Sequence, residues 1–361
     1  MDEPHLLLHF DVNKTVIMHD PVQGKTLLHI LNDLLTERAL GRIDGKSQRV
    51  WNWNGERALD KTREVGEDWV SYGNFLRTQF PMSSDPKKAE KNKHKRKMLR
   101  QNFTVIGNPG QGLVTEYDAL LQHLLLPSTA ASEAQLEEVG AETFGDDLHS
   151  VAKEFNSFCE GRHPCFPLAK PMDGSGGGVD RRMHLDEMSN GEMPRFGTFL
   201  RAEGTTALIM GTFKQPKTVD KAEPLAFYAS RMESVRIVQG LPKIHDFLAR
   251  RWRHTQETLA LRDFYPHWFF NMTDATAGKL LTLDPTDDTE NVHAMFFDDN
   301  ILSHDAHIVD ARFAHNDVAL DFEDTRELHL MRVEPLDVIQ RDTYFIERLE
   351  TSLQRWKQKR Q

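Results

Sequence analysis

His5-Leu-Leu-Leu-His-Phe-Asp11-Val-Asn-Lys-Thr15 is the stretch on which the fold turns. A short apolar run ends at Asp11, apolar character resumes at Val16-Ile-Met18, and Asp20-Pro21 breaks it. The pattern predicts a buried strand that delivers Asp11 at its C-terminal end. In an open α/β sheet, ligands bind at those ends, which makes Asp11 the first candidate for chemistry.

Working outward, Leu27, Leu28, Ile30, Leu31, Leu34 and Leu35 recur at helical spacing and predict an amphipathic helix from Lys25 to Leu40, stopped at Gly41. Its opening Gly24-Lys25-Thr26 is not a phosphate-binding P-loop, because His19 stands where the loop's first glycine is required. After Pro194 the segments alternate. Phe196 to Gly204 suits a short helix with a glycine stop, and Thr205–Met210 is an apolar strand running into Gly211-Thr212. Val235–Val238 is a further strand, followed by a helix through Ile244, Phe247, Leu248 and Trp252. Leu280–Leu283, Val292–Phe297, Ile308–Phe313 and Leu328–Val333 predict strands, and Pro335 to about Lys357 a final helix. Strands alternating with helices predict an α/β fold built on a doubly wound parallel sheet.

Residues 42–192 read differently, as mostly helical or irregular. Trp51, Trp53, Trp69, Tyr72, Phe75 and Phe80 suit a small separate core. From Lys87 to Arg100, eight basic residues stand against Glu90 alone. Such a run is either a solvated helix or loop, or a patch that gathers anions. Asp173-Gly-Ser-Gly-Gly-Gly178 reads as a linker or an exposed loop tip.

Composition sets the bounds. At 361 residues, 39% of them hydrophobic, the chain can build two ordinary domains with real cores. No apolar run approaches the ~20 residues of a membrane-spanning helix, and the first ten residues do not suit a secretory signal. A cytoplasmic protein without a membrane partner is expected. The net charge of −10 argues against general nucleic-acid binding. Cys159 and Cys165 flank His163, which excludes a disulfide framework. They read as ordinary thiols, since a closed tetrahedral zinc site wants four ligands rather than three.

The strongest signal joins two distant strand ends. Asp11 closes the first run, and Met295-Phe-Phe-Asp298-Asp299-Asn300 closes a late one. Carboxylates at neighbouring strand ends converge on one sheet edge, where a hard divalent cation relieves their repulsion. A polar turn at His304, Asp305 and His307 is the reading preferred there over a separate transition-metal site.

These residues resemble the haloacid dehalogenase (HAD) superfamily. Asp11-x-Asn13-x-Thr15 is similar to its first motif, Thr212 after an apolar strand to its second, Lys279 in Thr276-Ala-Gly-Lys279 to its third, and Asp298-Asp299 to its acidic fourth. The order along the chain matches, over roughly residues 1–20 and 195–320. The resemblance implies a HAD-like Rossmannoid core over 1–20 and 193–361, with a large, mostly helical cap inserted at 21–192. It implies a Mg2+-dependent phosphohydrolase or phosphotransferase that turns over a small phosphorylated substrate through an aspartyl-phosphate on Asp11. Thr15, Thr212 and Lys279 would bind phosphate, and Asp11, the carbonyl of Asn13, Asp298 and Asp299 would hold Mg2+.

Position 13 departs from the pattern. The family's phosphatases carry there a second aspartate that protonates the leaving oxygen and then activates water. Asn13 orients a group by hydrogen bonds but exchanges no proton with it. His9 and His19 are nearby substitutes that read more simply as structural. Asn13 therefore leaves two expectations open, an enzyme or a catalytically weak protein that binds a phosphorylated ligand or a partner.

Overall fold

The computed structural model describes residues 4–18, 25–43, 50–59, 69–124, 147–163, 170–185, 193–218, 223–229, 235–255, 258–271, 274–284 and 292–360. In chain order its elements are β1 (His5–Phe10), α1 (Leu27–Arg38), β2 (Leu40–Ile43), β3 (Trp51–Trp53), β4 (Val70–Ser71), α2 (Tyr72–Gln79), α3 (Pro86–Gln101), α4 (Val114–Leu124) and α5 (Asp147–Cys159). There follow β5 (Phe196–Ala202), β6 (Thr205–Met210), α6 (Ala226–Ala229), β7 (Arg236–Gln239), α7 (Leu241–Thr255), β8 (Ala260–Arg262), α8 (Tyr265–Phe270), β9 (Lys279–Leu283), β10 (Val292–Asp298), β11 (Val309–Phe313), α9 (Phe322–Thr325), β12 (Leu330–Arg332), α10 (Pro335–Gln340) and α11 (Tyr344–Lys359).

The chain divides into two compact units. The first comprises Met1–Asp11, Glu142–Val333 and Ile346–Gln361, and the second Val12–Ala141 and Glu334–Phe345. Residues 147–185, which the resemblance assigns to a cap, thus group with the first unit. The architecture is mixed α/β.

In the first unit, β1, β10 and β12 form a parallel sheet with β10 between the other two. β10 is buried along almost its whole length, as a strand flanked on both sides requires. Among the described residues β1 has one neighbouring strand, and its alternate side chains Leu6, Leu8 and Phe10 are exposed. The strand expected at His5–Phe10 is present, but it is half-exposed rather than buried. β9 and β11 pair in parallel, and β7-β6-β5-β8 form a four-stranded sheet in which only β5 and β8 run parallel. Leu241, Ile244 and Leu248 of α7 pack on Phe199, Leu208, Met210 and Leu280.

Two expectations give way here. Phe196–Ala202 is strand β5, not a helix: Phe196, Thr198 and Phe199 favour a pleated, buried surface, and Glu203-Gly204 is a two-residue hairpin turn into β6. The final helix is split into α10 and α11 by extended backbone at Arg341, followed by Asp342-Thr343, residue types that favour turns and caps over helix interiors.

The second unit has an aromatic core that takes in Trp51, Tyr72 and Phe75 of the expected residues, with Trp53 and Phe80 packed against it, while Trp69 lies instead under the Arg42 guanidinium at 4.3 Å. Leu31 and Leu35 of α1 pack with Trp51, Tyr72, Phe75, Phe103, Leu113 and Leu120, and the Tyr72 and Phe103 rings stack at 4.8 Å. The antiparallel strands β3-β2-β4 add a small sheet that the mostly helical reading did not include. Among the described residues no helix is long and apolar enough to cross a membrane.

Candidate active site

β1 and β10 run parallel with Phe10 opposite Phe297, so the residues that follow, Asp11 and Asp298, arrive at the same sheet edge. The Asp11 N–H donates to the Phe297 carbonyl at 2.8 Å, which extends the ladder to the aspartate itself. One carboxylate oxygen from each of Asp11, Asp298 and Asp299 lies within 4.8 Å of the others.

Lys279 enters this group from the head of β9. Its Nζ donates to Asp11 Oδ1 at 2.5 Å and to Asp298 Oδ2 at 2.7 Å, and stands 5.8 Å from the centre of the Phe296 ring. Burial opposes its charge, but Asp11, Asp298 and Asp263 override that and hold the ammonium protonated well above its ordinary range. The backbone before it is tightly packed. A Cβ on Gly278 would lie 2.0 Å from the Ile308 carbonyl oxygen, so only glycine lets β9 begin this close to β11. The Gly278 carbonyl also accepts from Arg201 at 3.0 Å, and Arg201 pairs with buried Asp310 at 2.7 Å.

Asp298 is fully buried. Its Oδ1 accepts from the backbone N–H of Asn300 at 2.8 Å and from Asn300 Nδ2 at 3.1 Å, while the same Nδ2 reaches Asp299 Oδ1 at 2.9 Å. Asn300 therefore fixes the relative orientation of the two adjacent carboxylates. Three carboxylates against one ammonium leave two negative charges in the cluster, and every donor is a hard oxygen. That donor set could hold a hard divalent cation and does not suit a soft metal.

The sequence-predicted residues are thus partly assembled. Asp11, Lys279, Asp298 and Asp299 come together. Thr212 is buried at the end of β6, where its Oγ1 accepts from the Lys214 N–H at 3.1 Å and its carbonyl accepts from Thr198 at 2.9 Å. It makes no hydrogen bond to the acidic cluster among the described residues. Asn13 and Thr15 belong to the second unit. Asn13 forms an isolated bridge with Ile17, and buried Asn13 Oδ1 and Thr15 Oγ1 have no hydrogen-bond partner among the described residues.

The weaker candidates that the structure describes make local packing and pairing contacts away from the acidic cluster. His9 stacks on Phe296 at 5.5 Å and meets Trp252 edge-on at 5.7 Å, and burial lowers it to about 4, leaving a neutral ring that packs between aromatics. His19 lies outside the described residues, as does Cys165. Cys159 is buried, and His163 pairs with Glu154 at 2.6 Å. Asp305 accepts from the His307 N–H at 3.1 Å in a polar turn.

Asp263, at the end of β8, escaped the sequence reading. Burial pushes its carboxyl up to about 6, Lys279 draws it down, and Asp298 raises it again, so it belongs to the same electrostatic group. Its signal was an aspartate after an apolar strand, the one that marked Asp11, but the strand is only three residues long. Comparison with protein families, with curated proteins and with solved structures yields no match.

Proposed function

We propose that this chain is a HAD-like, Mg2+-dependent phosphohydrolase or phosphotransferase that acts on a phosphorylated small molecule through an aspartyl-phosphate on Asp11. The observation that carries the reading is the Lys279 bridge, which joins the Asp11 carboxylate to Asp298 at the end of a neighbouring parallel strand. A lysine held between a strand-end nucleophile and a metal-type carboxylate supports the third- and fourth-motif resemblance together. The finer architecture is part of the same proposal: the parallel β1–β10 pairing supports the doubly wound core, while the cap expected over 21–192 is reduced by residues 147–185, which group with the first unit.

In this reading Asp11, Asp298 and Asp299 hold Mg2+, which when bound offsets the charge of a phosphoryl group. Lys279 keeps Asp11 ionised as the nucleophile. An Asp11 oxygen bonds to phosphorus as the bond from phosphorus to the leaving oxygen breaks, and that oxygen takes up a proton from solvent, since Asn13 exchanges none. Water then cleaves the aspartyl-phosphate, releasing phosphate and restoring the carboxylate. Because Thr212 Oγ1 accepts from Lys214, its own proton is left to donate to a phosphoryl oxygen.

Asn13 favours a second reading, a protein that binds a phosphorylated ligand or a partner with little turnover. Losing general acid–base catalysis costs ~10²–10⁴ in rate. Hydrolysis of p-nitrophenyl phosphate with Mg2+ separates the two. The enzyme reading expects turnover that disappears in Asp11→Asn and rises in Asn13→Asp. Absence of turnover in both the parent and Asn13→Asp sinks it and leaves the binding protein.

A further inference from the structure

We propose that α3 and the turns flanking it form a docking surface for an anionic lipid bilayer, independent of the chemistry at Asp11. The helix carries seven net positive charges, eight basic residues against Glu90, in a chain of net charge −10, so the remainder of the chain stands at −17. The two sides of α3 use these charges differently. Arg100 pairs with Asp33 and Glu37 of α1, Arg96 donates to the Phe80 carbonyl, and Asn92 donates to the Pro81 carbonyl at 2.8 Å. Those bonds seat the helix. Lys87, Lys88, Lys91, Lys93 and Lys95 are exposed, and no carboxylate pairs with any of them among the described residues.

Exposed apolar side chains lie on α3 itself and on the turns at its two ends. Met98 and Leu99 are exposed on α3 itself, and Met82, tethered through its neighbour Pro81 to Asn92, is 88% exposed. Ile106 is 93% exposed at the apex of a closed turn. The Asn108 N–H donates to the Val105 carbonyl at 2.9 Å across that turn, Gly107 adopts φ 88°, and the Gly107 N–H is held by Gln111 at 2.8 Å. An isoleucine presented to water by a braced turn is a built feature with no packing role in its own unit.

Lysines without a carboxylate partner among the described residues, on a helix whose own surface and flanking turns expose aliphatic side chains, are complementary to one surface, a negatively charged headgroup layer over an apolar interior. A nucleic acid satisfies the lysines but not Met82 and Ile106, and stacking on bases needs aromatic rings. Here Phe103 is buried and Phe80 lies under the Lys95 ammonium at 5.2 Å. A chain with no spanning helix among its described residues can still lie on a bilayer, which replaces the expectation of no membrane partner.

Flotation of the full-length protein with phosphatidylcholine vesicles, with and without phosphatidylserine, tests the surface. Binding is expected only with phosphatidylserine and should weaken with salt. Replacing Lys87, Lys88, Lys91, Lys93 and Lys95 with glutamine should reduce it by about fivefold per lysine. Ile106→Ser with Met82→Ser should reduce it at least tenfold while leaving the salt dependence unchanged. All these side chains are exposed, so an unchanged thermal midpoint shows that the variants fold. No binding, equal binding to neutral vesicles, indifference to the serine variant, or retention on single-stranded DNA but not on vesicles each overturns the proposal.

Discussion

Lys279 Nζ reaches Asp11 Oδ1 at 2.5 Å across 268 positions of sequence, and the same nitrogen reaches Asp298 Oδ2 at 2.7 Å. One ammonium therefore ties the end of β1 to the end of β10. Asp298 is fully buried and Lys279 nearly so, which puts the triad where charge is costly to leave unpaired. Lys279→Met should lower unfolding stability by about 3–5 kcal/mol, the cost of breaking a buried pair from one side. Mg2+ should restore part of that loss, because a cation replaces the missing charge. Urea midpoints with and without Mg2+ measure both effects, and an unchanged midpoint for the variant in EDTA would count against the triad as the keystone of this edge.

Gly278 offers a separate handle on the same lysine. Its φ of −81° is open to any residue, so an alanine there is opposed by space alone: the Cβ would meet the Ile308 carbonyl at 2.0 Å. That carbonyl is backbone and accepts the Lys279 N–H at 2.7 Å, so relief of the clash must move the head of β9. Gly278→Ala should cost about 1–3 kcal/mol, as overpacking does, and lower any Asp11-dependent turnover with it. Amide exchange at Lys279 reports the displacement directly. Protection equal to the parent's would show that β9 tolerates the extra methyl group.

The acidic edge was legible because two long apolar runs each end in aspartate, and parallel pairing in register needs nothing else to bring Asp11 to Asp298. Lys279 was legible only through motif order, since a lysine at a strand head carries no chemistry by itself. Asp263 was lost to the shortness of β8. Phe196–Ala202 reads as a helix because Gly204 resembles a helix stop, whereas Glu203-Gly204 is also the shortest hairpin signal. Thr212 shows a different limit. The sequence marks a buried strand-end hydroxyl, but the Lys214 N–H that occupies its lone pair follows from local backbone geometry.

A pH response follows from the histidines of the first unit. His293 Nε2 lies 2.7 Å from Ser352 Oγ, and Ser352 gives its proton to the Leu328 carbonyl at 2.7 Å, so the imidazole must donate from Nε2. Buried Nδ1 then carries a lone pair without a partner among the described residues. Burial, with His329 beside it, lowers His293 to about 3 from 6.5, and burial lowers His329 as well. The unfolded chain binds protons at these rings more readily than the folded one below pH 6.5. The His293 contribution is therefore complete above that pH and is lost as the pH falls toward 3, at ~1.4 kcal/mol per pH unit, and His329 acts in the same direction. His293→Gln keeps a donor to Ser352 without a titrating ring. Its stability, followed by denaturant unfolding from pH 7 to 4, should fall more gently than the parent's, and parallel curves would remove His293 from the cause.

Asn300 distinguishes a metal site from a cluster of acids. Its side-chain amide bonds both Asp298 Oδ1 and Asp299 Oδ1, and its backbone N–H holds Asp298 whatever the side chain is. Asn300→Ala therefore keeps the turn but removes the amide that links the Asp298 and Asp299 carboxylates. Residues that orient metal-binding carboxylates typically cost 10–100-fold in affinity when removed, so the concentration of Mg2+ that raises the thermal midpoint of the parent should rise by about that factor. Midpoints in EDTA should stay close together, since the buried carboxylate keeps its backbone donor and Lys279. If the two proteins instead differ equally with and without Mg2+, the amide serves the fold alone. If Mg2+ moves neither midpoint, the carboxylates of Asp11, Asp298 and Asp299 are balanced by Lys279 without a metal, and the phosphoryl-transfer reading loses the cation it depends on.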